Sequence, residues 1–479
     1  MKKLILISFA LVLTLGACDL SSLNTNKKEP ASVPAGPLFA NAQYEYGNFI
    51  HSMDQNVNIF ELWVQHYVET TYVEESDYNI TDRAIAGTVW GTFYENILNN
   101  LKQAKANVRQ ESAATPTEQA VKQNKIATIN VMNVLAYSEL LNIFGNIPFT
   151  KALDRNNPSP SYDDAKTVYS AIMDTLNTAI GNLNASASTF DSDLYYGGNT
   201  GEWIKFANSL KMRLGMTLAD VEPSQARQAV VSASPNAFQS NNDNAMIKFT
   251  TTYPHTSPIY NALVYSGRHD YLPSTVFMNT LNSLNDPRRY RWFTQHNGQF
   301  VGADIGQAYQ DFSHTSALVK QIDLPGMIMG YPEVEFIRAE ARARGWKVGG
   351  TIAGHYNNAI RANMQRWGVP QDSINAYMSQ PSVVYATADG PWRKKIGIQK
   401  WIALFQEPLQ AYTEVRRLDY PELIAPDKGV ARRIGQLPSR FTYPISEQNR
   451  NTANYNQAAQ AIGGDKLTTK LFWDTMGIY

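Results

Sequence analysis

The run Tyr331 to Trp346, YPEVEFIRAEARARGW, decides the fold class. Pro332 suits the first turn of a helix, where its missing N–H would have no intrahelical partner in any case. Glu333 and Glu335 fall at the positive end of that helix, Val334, Ile337 and Ala341 share one face, and Gly345 supplies the stop. Glu335 with Arg338, and Glu340 with Arg344, stand at spacings that let ion pairs form along the same helix. A partner follows with Tyr356, Ile360, Met364 and Trp367 on its apolar side.

Working outward, paired helices of this length resemble tetratricopeptide units, although the chain holds no strict repeat. On the C-terminal side the pattern predicts one long helix from about Lys394 to Arg417, with Glu414, Arg416 and Arg417 pinning its end to a neighbour. On the N-terminal side four helices bury one face each. The first carries Trp90, Phe93, Tyr94, Ile97, Leu98, Leu101 and Ala104, and the second runs from about Glu118 to Phe144 and ends at Gly145. The third carries Ala165, Val168, Tyr169, Ile172, Leu176, Ala179 and Leu183, and the fourth Trp203, Phe206, Ala207, Leu210 and Leu214. Between about Val231 and Pro325 the periodicity gives way to Asn, Ser, Thr, Tyr and Pro, which predicts long loops and a few short strands. Within it, Asp286-Pro287-Arg288-Arg289 reads as a turn fixed by an Asp cap and an Arg contact. The fold class is therefore mainly α: tetratricopeptide-like helix pairs against an irregular, loop-rich region, and loops on such a scaffold are where function sits.

The N-terminus reads as an export signal. Lys2 and Lys3 give a positive start, and Leu4 to Leu15 is apolar apart from Ser8 and Thr14. The segment is shorter than the about 20 apolar residues that span a bilayer. Gly16 and Ala17 precede Cys18, the only cysteine, in a lipobox pattern, so Cys18 is the expected lipid attachment point once residues 1–17 are removed. With one cysteine, no disulfide forms within the chain. Acyl chains contribute about 0.8 kcal/mol per buried methylene, enough in combination to hold a protein at a membrane. Residues 18–37, rich in Ser, Asn, Lys, Pro and Ala, read as a flexible tether.

The 479 residues carry 42 basic and 42 acidic side chains, a balance that points away from nucleic acid and from electrostatic binding of the body to anionic lipid. The 26 tyrosines exceed what a core requires and favour a binding protein, since tyrosine both packs and hydrogen-bonds at a wet surface. The seven histidines never fall at a zinc-hydrolase spacing, no Gly-x-Ser-x-Gly elbow or phosphate-cradling loop is present, and Cys18 is committed to lipid. Neither a catalytic role nor a cofactor is expected. Asp54, Asn56, Asn58 and Glu61 form an oxygen-rich run without the glycine of a calcium loop, and Asp191 with Asp193 is a loose pair, so both read as solvated turns rather than metal sites.

Several blocks in register resemble the SusD/RagB family of nutrient-binding outer-membrane lipoproteins. They are Tyr331 to Trp346, Ile398 to Pro421 (IQKWIALFQEPLQAYTEVRRLDYP), Arg440 to Asp474, Phe144 to Phe149 (FGNIPF) before Lys151-Ala152-Leu153, and Trp203 to Leu214 (WIKFANSLKMRL). The resemblance implies a Bacteroidetes-type lipoprotein with one SusD-like domain over residues 38–479. It also implies a partner, a SusC-like TonB-dependent outer-membrane barrel on which the protein acts as an external lid while delivering a nutrient, often an oligosaccharide. The tether after Cys18 fits a lid that moves while anchored at the cell exterior. The alternative is a helical-repeat scaffold that binds a peptide or protein.

A glycan site needs exposed aromatic planes beside groups that read hydroxyls. Two stretches offer that mixture, Trp63 to Tyr78 and Tyr253 to Trp292, and in the family they resemble the ligand lies over broadly corresponding regions. The candidate ligand-binding residues are Trp63, Tyr72, Tyr260, Tyr265, Arg268 and Trp292.

Overall fold

The computed structural model describes residues 33–475. Cys18, the leader and most of the tether lie outside the described residues. All elements below belong to one compact unit, Ala35–Tyr479. Its first helix, Ala35–Ile50, starts three residues ahead of the expected boundary at residue 38.

Helices dominate, and they pack in pairs of sequence neighbours: Pro116–Phe144 with Ala165–Asn182, Thr200–Thr217 with Pro223–Ala233, Tyr331–Ala343 with Ile352–Arg366, and Trp392–Ala403 with Pro408–Leu418. The longest shows why its ends fall where they do. Thr115 accepts from the Glu118 N–H at 3.2 Å while Glu118 takes the Thr115 N–H at 2.9 Å, a capping box that answers two orphan donors, and Pro116 occupies the first turn. Gly145, at φ +86°, ends it. Pro116–Phe144 is long and apolar enough to cross a membrane, but 83% of its most apolar window is buried inside the protein, as befits a core helix.

The helix that opens with Tyr331 is held by the ion pairs its spacing suggests. Glu335 meets Arg338 at 2.6 Å and Glu340 meets Arg344 at 2.9 Å. Arg417 bridges Glu340 at 2.5 Å and Glu414 at 2.6 Å, joining Tyr331–Ala343 to Pro408–Leu418. Burial would push the Glu414 carboxyl up, but the charges of Arg417 and Lys400 outweigh it and hold the group at about 2. Arg416 instead gives its N–H groups to the carbonyls of Tyr412, Ser439 and Asn142, tying the C-terminal segment to the end of Pro116–Phe144. Asp286 and Arg288 form a fully buried pair at 2.6 Å, extended to Asn363 at 2.8 Å, so this turn is a core fixture.

Two expected helices differ in detail. The single helix over Lys394 to Arg417 is broken between Leu404 and Glu407, because Pro408 has no N–H to continue the ladder and Gln406 adopts φ +68°. The Trp90 helix contains a π-helical segment, Thr92–Leu98, between Ile85–Gly91 and Asn99–Gln110.

The strands are few and short: β1 (Tyr67–Glu69), β2 (Ala245–Ile247), β3 (Tyr271–Pro273) and β4 (Gly326–Met329). β1 pairs antiparallel with β3, Val68 opposite Leu272, and β2 pairs with β4 through an irregular register. The loop-rich region also holds the helix Thr275–Ser283, capped by Ser274.

Candidate functional site

The β1–β3 pairing brings together the two aromatic stretches singled out in the sequence. It continues one step past the strands, where the Thr70 N–H donates to the Asp270 carbonyl at 2.8 Å. The loop leaving β1 (Thr70, Thr71, Tyr72) and the loop entering β3 (Arg268, His269, Asp270) therefore stand side by side. With Tyr253, Pro254, Asn261, Tyr265, and Tyr44 and Asn48 from the first helix, they line a cavity of about 930 Å³.

Of the five tyrosines that line this cavity, Tyr72, Tyr253 and Tyr265 are mostly exposed, while Tyr44 and Tyr309 are half-buried. Tyr72 is 67% exposed and sits at φ +56°, an unusual conformation for a bulky side chain, so the backbone is held there by its surroundings. Tyr253 and Tyr265, 59% and 63% exposed, stack on one another with centroids 4.8 Å apart and planes 18° from parallel. Tyr265 is placed by a π-helical turn, Asn261–Tyr265, and the Tyr253 loop is braced where the Tyr44 hydroxyl donates to the Pro254 carbonyl at 3.3 Å. Exposed, mutually supported aromatic planes offer an apolar face at low entropic cost.

The polar part of the wall is built on Arg268. Its Nε and Nη2 fork onto the Asp270 carboxylate, Nη2 also reaches Glu69 Oε1 at 3.2 Å, and the guanidinium lies 4.5 Å over the Tyr271 ring. Glu69 is fully buried at the end of β1 and accepts from the Ser76 N–H and hydroxyl. Burial and the neighbouring Glu75 raise its carboxyl, Arg268 only partly offsetting them, to about 8.

A family model described as "Starch-binding associating with outer membrane" (SusD-like_2) matches residues 27–444. The chain belongs to the SusD-like family. A chitin-binding protein of known structure is similar to this SusD-like chain at TM-score 0.80 and 26% identity, over 92% of this chain and 100% of its own. A chitin-binding SusD homolog from Flavobacterium johnsoniae is similar at TM-score 0.77 and 24% identity, covering 92% and 98% of the two chains. A SusD homolog from Bacteroides uniformis ATCC 8492 gives 0.74 and 24%, covering 92% and 99%. Among curated proteins, none matches.

Of the six candidate ligand residues, the SusD-like fold brings Tyr72, Tyr265 and Arg268 to the cavity. Trp63 and Trp292 are corrections. Both are 0% exposed. Trp63 packs among Phe60, Tyr78, Tyr412 and Phe441, and Trp292 among Phe277, Trp367 and Phe405, so neither offers a face to a ligand. Tyr260 is half-buried in the short helix before the π turn and does not line the cavity. Tyr253 also lines the cavity but is not among the six candidates, although Thr251-Thr252-Tyr253-Pro254-His255 is an aromatic set among turn-forming polar residues, a poor context for a core.

The acidic runs have internal duties. Asp54 accepts from the Asn56 N–H at 2.9 Å and closes a turn, Asn58 donates to the Phe49 and Ile50 carbonyls, and Glu61 faces His66. Asp193 accepts from Gln43 and from the Trp203 indole N–H, each at 2.8 Å.

The raised Glu69 carboxyl predicts a pH effect on stability. In the unfolded chain it titrates in the ordinary glutamate range, near 4.5, so its contribution is fully present below that pH and is lost as pH rises through about 8. Glu69→Gln removes this loss. Thermal unfolding should show the variant gaining on the wild type as pH rises from 5 to 9, and a pH-independent difference would contradict it.

Proposed function

We propose that this protein captures an oligosaccharide in the tyrosine-lined cavity, leaves it chemically unaltered, and passes it to a SusC-like TonB-dependent barrel over which it acts as a lid. The observation that carries the binding reading is the set of exposed rings of Tyr72, Tyr253 and Tyr265 around one cavity of about 930 Å³. Sugars present C–H faces that stack on such rings and hydroxyls that meet the polar wall. The chitin-binding relative at 26% identity supports an N-acetylated glycan as the first ligand to test. Binding without catalysis is supported by the two wall carboxylates, since Asp54 is committed to Asn56 and Asp270 to Arg268 rather than poised as an acid and base pair.

The family description places relatives in association with the outer membrane. In this reading Cys18 carries the lipid, the residues between it and the helix that opens at Ala35 form the leash, and the domain that begins with that helix faces the cell exterior. In cells, Cys18→Ser should abolish incorporation of labelled fatty acid and release the protein from membranes. The lipidated wild type should co-purify with a TonB-dependent barrel and be cleaved by protease added to intact cells. Retention of label in the variant, or full protection of the wild type from protease, would overturn the anchored-lid reading.

A further inference from the structure

Charge on the cavity wall is answered from within the protein. Two carboxylates, Asp54 and Asp270, stand against one guanidinium, Arg268, with His269 the remaining basic side chain. Arg268 is forked onto Asp270 and touches Glu69, and among the described residues only its Nη1 has no protein acceptor. Much of the hydrogen-bonding capacity left on the wall is uncharged. Gln55 lines the cavity and its Oε1 is buried without a protein partner, so it calls for a donor. Sugar hydroxyls and amide N–H groups supply that donor on neutral and acidic glycans alike, so discrimination between the two falls to the charge of the wall.

We infer that the cavity selects uncharged oligosaccharides over uronate- or sulfate-bearing ones, and that Asp270 enforces the choice by neutralising Arg268. The inference rests on the glycan reading above. An anionic sugar would meet an excess of negative charge, and the one cation able to attract it is already paired. Glu69 adds no cation and, below its raised value of about 8, little negative charge, so the state of Arg268 is set chiefly by Asp270. Asp270→Asn would uncover the guanidinium and leave Asp54 as the wall's carboxylate.

The test uses the full-length protein on an array of neutral and acidic glycans, followed by calorimetry with N-acetylglucosamine hexamer and a hyaluronan hexasaccharide. The wild type should bind neutral glycans alone, with an affinity that scarcely changes with salt. In Asp270→Asn the ratio of hyaluronan to N-acetylglucosamine-hexamer affinity should rise about tenfold, and that gain should fall as salt is added. Wild-type binding of acidic glycans as strongly as neutral ones would overturn the selectivity and leave the glycan reading standing. An array with no bound glycan of either kind would overturn both. Should Asp270→Asn fail to fold, the wild-type array and its salt dependence decide the matter.

Discussion

A Tyr253→Ala, Tyr265→Ala double variant is expected to bind oligosaccharide about a hundredfold more weakly than the wild type, near 1.5 kcal/mol for each lost ring. Both rings are mostly exposed, so little core is lost with them. They stack at 4.8 Å, so each orients the other, and the single variants should not add up to the double. Isothermal titration of all three variants measures the coupling. An unchanged affinity in the double variant would remove this platform from the site.

Trp292→Ala should have the opposite signature, a loss of about 3–5 kcal/mol in stability with no change in affinity per folded molecule. The indole is fully buried beside Phe277, Trp367 and Phe405, with the Arg288 guanidinium 5.5 Å from its ring, so truncation removes packing on every side. Denaturant unfolding reads the loss, and titration of the folded fraction reads the binding. A variant that keeps its stability but loses ligand would restore Trp292 to the site.

The contrast between the exposed Tyr253 and Tyr265 and the buried Trp292 marks what the sequence could and could not reveal. Tyr331–Ala343 was legible because Pro332, the apolar face and Gly345 act through local geometry, and its ion pairs follow from helical spacing. The break before Pro408 was equally written in the residues, yet the apolar periodicity on either side masks it. The π segments Thr92–Leu98 and Asn261–Tyr265 carry no comparable signature in the sequence. At the site, composition located both stretches but could not rank the aromatics within them. Trp63 lies in the apolar run Ile59-Phe60-Glu61-Leu62-Trp63-Val64 and is core, whereas Tyr72 and Tyr253 follow paired threonines and are exposed. Neighbouring polarity was the better guide than ring size. The meeting of Thr70 with Asp270, 200 residues apart, was readable only once β1 and β3 were seen to pair.

The most direct test is a crystal structure of the full-length protein with an oligosaccharide selected from the glycan array. A sugar ring should lie against the Tyr253 and Tyr265 pair or Tyr72, with hydroxyls meeting Arg268 Nη1 and Gln55. Ligand bound elsewhere on the surface, with the tyrosine cavity empty at saturating concentration, would contradict the assignment.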